Sequence, residues 1–224
     1  MKIVFLHHNR TKNIGDLSSC PASYLDFPVH EIADPLAFEG TADLAIIGGG
    51  GLMSPYFDEQ ISKIVKNVGA LVLWGVGTHY SQFGMAPWAE KADMIGIRDE
   101  GCGYELVPCA SCLSPLFDEI KAPTFEKVGY YHYHLGWRPQ YHLAQMHNHS
   151  SNLKNTLQFL ASGKRVLTNS YHGAYWGKLL KREVILSENW NSKFNHIPTD
   201  DLHMARTRNL VFYKDVVNRF NLFG

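Results

Sequence analysis

Four short runs constrain this chain most: KIVFLH (residues 2–7), ADLAIIGG (42–49), ALVLWGVG (70–77) and ADMIGIRD (92–99). Each is continuously apolar rather than alternating, which suits a parallel strand covered on both faces. Between the second and third lies PYFDEQISKIVKNVG. There Phe57, Ile61, Ile64, Val65 and Val68 fall at helical spacing, and Gly69 stands where a helix stops. Strand, helix and strand in that order predict an α/β fold with a doubly wound parallel sheet.

The second half repeats this logic after a break. Pro108, Pro115 and Pro123, with Gly and Ser nearby, place a domain boundary around 115–127. The expected division is an N-terminal domain over 1–120 and a C-terminal, shortened domain over 121–224. EKVGYYHYH, KRVLTNS and EVILSEN read as strands. NLKNTLQFLASG and YHGAYWGKLLKR read as helices, the first with Leu153, Leu157, Leu160 and Ala161 on one face. LGWRPQYHLAQMHNHSS (135–151) shows no usable period.

Charge narrows the function classes. Lys plus Arg equals Asp plus Glu at 21 each, so the basic footprint of a nucleic-acid binder is missing. A small anionic ligand needs only local charge and stays open. No segment approaches the ~20 apolar residues of a membrane span. The opening MKIVFLHHNR is too short in apolar residues for a signal-peptide core. The expectation is a cytoplasmic protein with no integral membrane segment. The composition leaves the oligomeric state open.

Cys20, Cys102, Cys109 and Cys112 do not suggest a disulfide framework. CASC has the C-x-x-C spacing of a half zinc site or a redox pair, and equally suits small buried thiols. His132, His134, His142, His147 and His149 crowd one region. Their i, i+2 pairs can ligate metal, or can form a polar strand face and a solvated loop. Since no carboxylate or Cys completes a ligand set, no metal is expected.

Four further places fall where an expected strand ends, the ligand-binding edge of an open α/β sheet. In HHNRTKNIGDLSSCP, Asn13, Gly15 and Asp16 follow the first strand, with the hydroxyls of Ser18 and Ser19. Asp16 suits a general base, but spacing alone favours a helix cap. The glycine run Gly48–Gly51 lacks both the dinucleotide spacing and the P-loop Lys. Its amides before a helix can hold an anion, and a tight turn explains them equally. Arg98 ends the fourth strand, placed either to grip a carboxylate or phosphate or to form a surface pair with Asp99 or Glu100. In VLTNSYHGAYWGKLL a strand runs into Asn169 and Ser170, and Tyr171, His172 and Gly173 open a helix. The field at a helix N-terminus favours a neutral imidazole, which suits His172 to acid–base work.

Taken in order, NIGDLSS, AIIGGGGLMS, GIRDE and LTNSYHGAYWGKLL resemble the polysaccharide pyruvyl transferase family. The resemblance covers about residues 1–105 and 163–197, including NSKFNHI with Lys193. It implies two Rossmann-like halves similar to a GT-B glycosyltransferase, with parallel sheets, flanking helices and a site between them. It also implies transfer of pyruvate from phosphoenolpyruvate to a pair of sugar hydroxyls on a glycan, forming a ketal, with no further cofactor. His172 is then the candidate acid, and Arg98 the carboxylate clamp. The amides of Gly49, Gly50 and Gly51, with Lys193, would hold the phosphate. Asp16 or Asn13 would orient the sugar, with Gly15, Asn169, Ser170 and Tyr171 at the site.

The chain is short for that family, and EGCGYELVPCASCLSPLFD departs from its usual pattern. Two alternatives stand beside this reading. One is a GT-B-like glycosyltransferase using a sugar nucleotide, and the other a non-catalytic glycan-binding relative.

Overall fold

In the computed structural model, which describes residues 1–78, 84–134, 142–149, 152–187 and 192–224, the four apolar runs are neighbouring parallel strands. They are β1 (Ile3–Leu6), β3 (Ala42–Gly48), β4 (Val68–Val76) and β5 (Met94–Ile97). Two short edge strands, β2 (His30–Ala33) and β6 (Glu105–Leu106), complete the order β2-β1-β3-β4-β5-β6. Side chains alternate across the sheet, and both faces are covered. Val4, Leu6, Ala45, Ile47, Leu71 and Leu73 pack with Ile61 and Ile64 of helix α2 (Pro55–Ile64). Ile3, Phe5, Leu44, Ile46, Val72 and Trp74 pack with Phe212 and Val216 of helix α5 (Leu202–Phe220). Burial on both faces removes the reason for polar alternation, and each buried Val, Leu, Ile or Phe among them contributes about 1.5–3 kcal/mol.

The second sheet is also parallel, made of β7 (Phe125–Tyr131), β8 (Ala144–His147), β9 (Gly163–Thr168) and β10 (Glu183–Leu186). Its strand order is β10-β9-β7-β8. Helices α3 (Leu153–Ser162) and α4 (Tyr171–Leu179) cover it, with Leu157, Leu160, Ala174 and Trp176 packed on Val128, Tyr130 and Val166. Each sheet is thus a Rossmann-like α/β layer. Residues 135–141 and 150–151, within the stretch of no clear period, lie outside the described residues.

The two layers exchange material. Cys109, Cys112 and Phe117 come before the second sheet's strands, yet pack in its core. Phe212, Val216 and Leu222 come after them, yet pack against the first sheet. Among the described residues, no helix is long and apolar enough to cross a membrane.

Candidate functional site

Each sheet has a switch point, where successive strands leave in opposite directions, and ligands bind at the carboxyl ends of such strands. In the first sheet it lies between β1 and β3, in the second between β7 and β9. Residues following these strands line one cleft of about 500 Å³. It collects Asn13, Asp16, Gly49, Gly50, Gly51, Arg98, Ser170, Tyr171 and His172. It also includes His8, Ser54 and Tyr56, which sequence patterning did not single out, and His132 of the histidine-rich region.

The loop after β1 turns into the four-residue helix α1 (Ile14–Leu17). The capping expectation for Asp16 is corrected: Asn13 is the N-cap, its Oδ1 accepting from Gly15 N at 3.1 Å. Asn13 Nδ2 donates to Asp16 Oδ2 at 2.8 Å, so the amide holds the carboxylate at the cleft. The helix is docked on the second layer, because Ile14 N donates to Asn148 O at 2.9 Å.

The glycine loop is more than a tight turn. Gly49 and Gly50 have φ of +69° and +66°, in the left-handed region that favours glycine. A Cβ on Gly49 would sit 2.2 Å from Ser19 Cβ, so the two loops touch through bare backbone. Gly49 N donates to Trp74 O at 2.9 Å and is spent on the sheet. The amides left for an anion are those of Gly50 and Gly51.

Arg98 is not a surface residue, and of its two readings the surface pair with Asp99 or Glu100 is not seen among the described residues. It is 2 % exposed, because Gly77 leaves the room: a Cβ there would lie 2.2 Å from Arg98 Nε. Asp99 instead accepts from Thr78 N at 2.8 Å. Glu100 accepts from Thr199, 2.9 Å from its amide and 3.0 Å from its hydroxyl. The Arg98 guanidinium carbon lies 3.9 Å from the centre of the Tyr171 ring. Its Nε and Nη1 are buried with no hydrogen-bond partner among the described residues. Burial opposes the charge, but Tyr171, Asp99, Cys109 and Asp16 outweigh it and hold Arg98 above its usual pKa.

His172 lies in the first turn of α4, capped by Ser170, whose Oγ accepts from Gly173 N at 3.4 Å. The imidazole is 4 % exposed. Nε2 is 3.5 Å from Cys109 Sγ, and Nδ1 lies over Gly15, where a Cβ would come within 2.1 Å. Gly15 therefore serves the site by leaving space for this ring. Asn169 is not among the lining residues of the cleft; its Oδ1 accepts from His132 N at 2.7 Å, tying the ends of β9 and β7 together. The side chain of Lys193 lies outside the described residues.

Cys109 and Cys112 are free, buried thiols in the core of the second layer. Burial is the main cause that raises both pKa values, Cys112 to about 12. Tyr133 stacks on His149 at 4.8 Å, with His134 and His147 edge-on or tilted around them. Among the described residues, no group of three or more His, Cys, Asp or Glu is placed to hold a metal ion.

No protein-family model matches the chain, and no curated protein does. A solved structure of an uncharacterized protein from Klebsiella pneumoniae subsp. pneumoniae NTUH-K2044 is similar in fold, with a TM-score of 0.59. The match covers 88% of this chain and 86% of that one, at 15% sequence identity. At that identity the likeness concerns the fold alone.

Proposed function

We propose that the cleft is the active site of a pyruvyl transferase, which moves pyruvate from phosphoenolpyruvate to two hydroxyls of a sugar as a ketal. The observation that carries this is Arg98, a buried guanidinium lining the cleft whose Nε and Nη1 have no hydrogen-bond partner among the described residues. A buried cation left unpaired is costly, so its position makes sense when an anion completes it. In this reading the two layers stand as in a GT-B enzyme, with one substrate from each side of the cleft.

Arg98 grips the donor carboxylate, and the Gly50 and Gly51 amides hold the phosphate. Asp16, fixed by Asn13, orients an acceptor hydroxyl. His172 supplies the proton to the methylene carbon, which makes the adjacent carbon electrophilic. Since both its nitrogens face protein, that delivery requires the ring to turn toward the cleft. Tyr56, 72% exposed at the cleft, offers a flat face on which a sugar can stack.

Thermal unfolding tests this with millimolar phosphoenolpyruvate beside a panel of nucleotide sugars. Binding to the folded state alone adds ~2.7 kcal/mol at a hundredfold excess over Kd. The expected result is a rise in Tm with phosphoenolpyruvate that is lost in Arg98→Ala. A rise with nucleotide sugars alone would replace pyruvyl transfer by glycosyl transfer.

A further inference from the structure

His8 and Asp34 form a pair at the cleft that has no part in the donor and acid roles of Arg98 and His172. Asp34 follows β2, and its side chain is 1% exposed. Its Oδ2 accepts from His8 Nδ1 at 2.9 Å and from the amides of Asn9 and Arg10 at 3.0 Å each. Its Oδ1 accepts from Leu36 N at 2.9 Å. Burial opposes the carboxylate charge, but the bonds from Arg10, Leu36 and His8 outweigh it and hold Asp34 below the usual carboxylate range.

An ionised carboxylate can only accept. The shared hydrogen therefore sits on Nδ1 of His8, and in the neutral ring Nε2 carries the lone pair. Phe57 meets the imidazole edge-on, with centroids 5.4 Å apart and planes at 69°. His8 lines the cleft beside Phe57, Tyr56 and the glycine loop. Nε2 has no hydrogen-bond partner among the described residues. Two of the cleft's imidazoles, His8 and His172, thus differ. His172 has protein against both nitrogens, whereas His8 is held at one and open at the other.

We infer that His8 is the base that takes the proton of the attacking sugar hydroxyl, and that Asp34 is its positioning residue. This rests on the pyruvyl-transfer reading. As the hydroxyl oxygen bonds to the electrophilic carbon, its proton moves to Nε2, and Asp34 faces the resulting imidazolium. The bond from that carbon to the phosphate oxygen then breaks. The proton passes from Nε2 to the departing oxygen, which gives hydrogen phosphate and neutral His8. The second hydroxyl closes the ketal, and its proton replaces the one given to the methylene carbon.

The test is phosphate release from phosphoenolpyruvate with a panel of methyl hexopyranosides, for the wild type, His8→Ala, His8→Gln and Asp34→Asn. Phosphoenolpyruvate binding and Tm are measured alongside. Expected is a ~10²-fold or greater fall in kcat for both His8 variants, with donor binding kept and His8→Ala partly rescued by added imidazole. Asp34→Asn should lower kcat with KM little changed, because the imidazole loses the partner that fixes its tautomer and orientation. A folded His8→Gln that turns over normally overturns the assignment of His8 while leaving pyruvyl transfer intact. Wild type that neither binds phosphoenolpyruvate nor turns over any glycoside removes the underlying reading, and this inference with it.

Discussion

Arg98 lies against Tyr171, its guanidinium carbon 3.9 Å from the ring centre, and its buried Nε and Nη1 have no hydrogen-bond partner among the described residues. A desolvated cation–π contact offsets about 2 kcal/mol, and the nearby carboxylates of Asp99 and Asp16 favour the charge as well. Replacing a charge held in this way by an apolar side chain of similar volume is often neutral or stabilising. Arg98→Met keeps much of the volume and removes the charge. Its free form should be as stable as the wild type or up to about 3 kcal/mol more so, while the effect of phosphoenolpyruvate on Tm disappears. Urea unfolding with and without the anion measures both. A variant destabilised by several kcal/mol would show that the charge is satisfied within the fold.

Gly15 is the floor on which His172 rests. A Cβ at this position would come within 2.1 Å of Nδ1, so Gly15→Ala must push the imidazole or lift α1. Overpacking of this kind costs about 1–3 kcal/mol. The expected outcome is that loss of stability together with a fall in turnover larger than any loss of donor affinity. Equal turnover in Gly15→Ala would separate His172 from the chemistry.

Gly49 and Gly50 have nearly the same backbone angle but different surroundings. A Cβ on Gly49 meets Ser19 at 2.2 Å, whereas one on Gly50 meets Asp16 Oδ1 at 3.3 Å. Both alanine variants carry the left-handed penalty of about 1–2 kcal/mol. Only Gly49→Ala adds the backbone-to-loop overlap, so it should be the more destabilised of the two by thermal unfolding. Gly50→Ala should instead disturb the Asp16 side of the cleft and weaken ligand binding. Reversed stabilities would mean that the loop after β1 yields more easily than its packing on Gly49 implies.

His7, next to the cleft, is buried, and mainly for that reason its pKa falls from 6.5 to about 4. The unfolded chain therefore binds the proton before the folded one does. The neutral ring's contribution is complete above pH 6.5 and is lost as the pH falls toward about 4. Across that window the loss amounts to roughly 3 kcal/mol. His7→Gln should flatten the decline, seen as a smaller difference in urea midpoint between pH 7 and about pH 5 than in the wild type. Parallel profiles would place the acid sensitivity elsewhere.

Which elements were legible follows from where they are buried. β1, β3, β4 and β5 are covered on both faces, and their apolar runs reveal them. β2 (His30–Ala33) and β6 (Glu105–Leu106) are sheet edges, part-exposed and short, and their residues carry no such run. The cleft residues were found because they follow recognisable strands. His8 was not singled out, because what marks it is a partner 26 residues away, at the end of the unseen β2. Arg98 was found, but its burial was not, since the space for it is made by a missing side chain at Gly77. Helix α5 was also missed: only Ala205, Asn209, Phe212 and Val216 are buried, a stripe too narrow and too polar to stand out.

That stripe supplies the last prediction. Asn209 is fully buried, and its Oδ1 accepts from Trp74 Nε1 at 2.9 Å. Its Nδ2 donates to Pro108 O at 3.0 Å and to Ala205 O at 3.1 Å. The side chain thus joins α5, the strand β4 and the segment between the layers. Asn209→Leu keeps the apolar stripe but leaves the Trp74 N–H without an acceptor, at a cost of about 1–3 kcal/mol, more if Pro108 O is also orphaned. Trp74→Phe removes that donor and adds a cavity cost of its own. If the hydrogen bond is what couples them, the double variant is more stable than the sum of the two single losses predicts. Urea unfolding of the four proteins closes the cycle, and strict additivity would show that α5 is held to the sheet by Phe212 and Val216 alone.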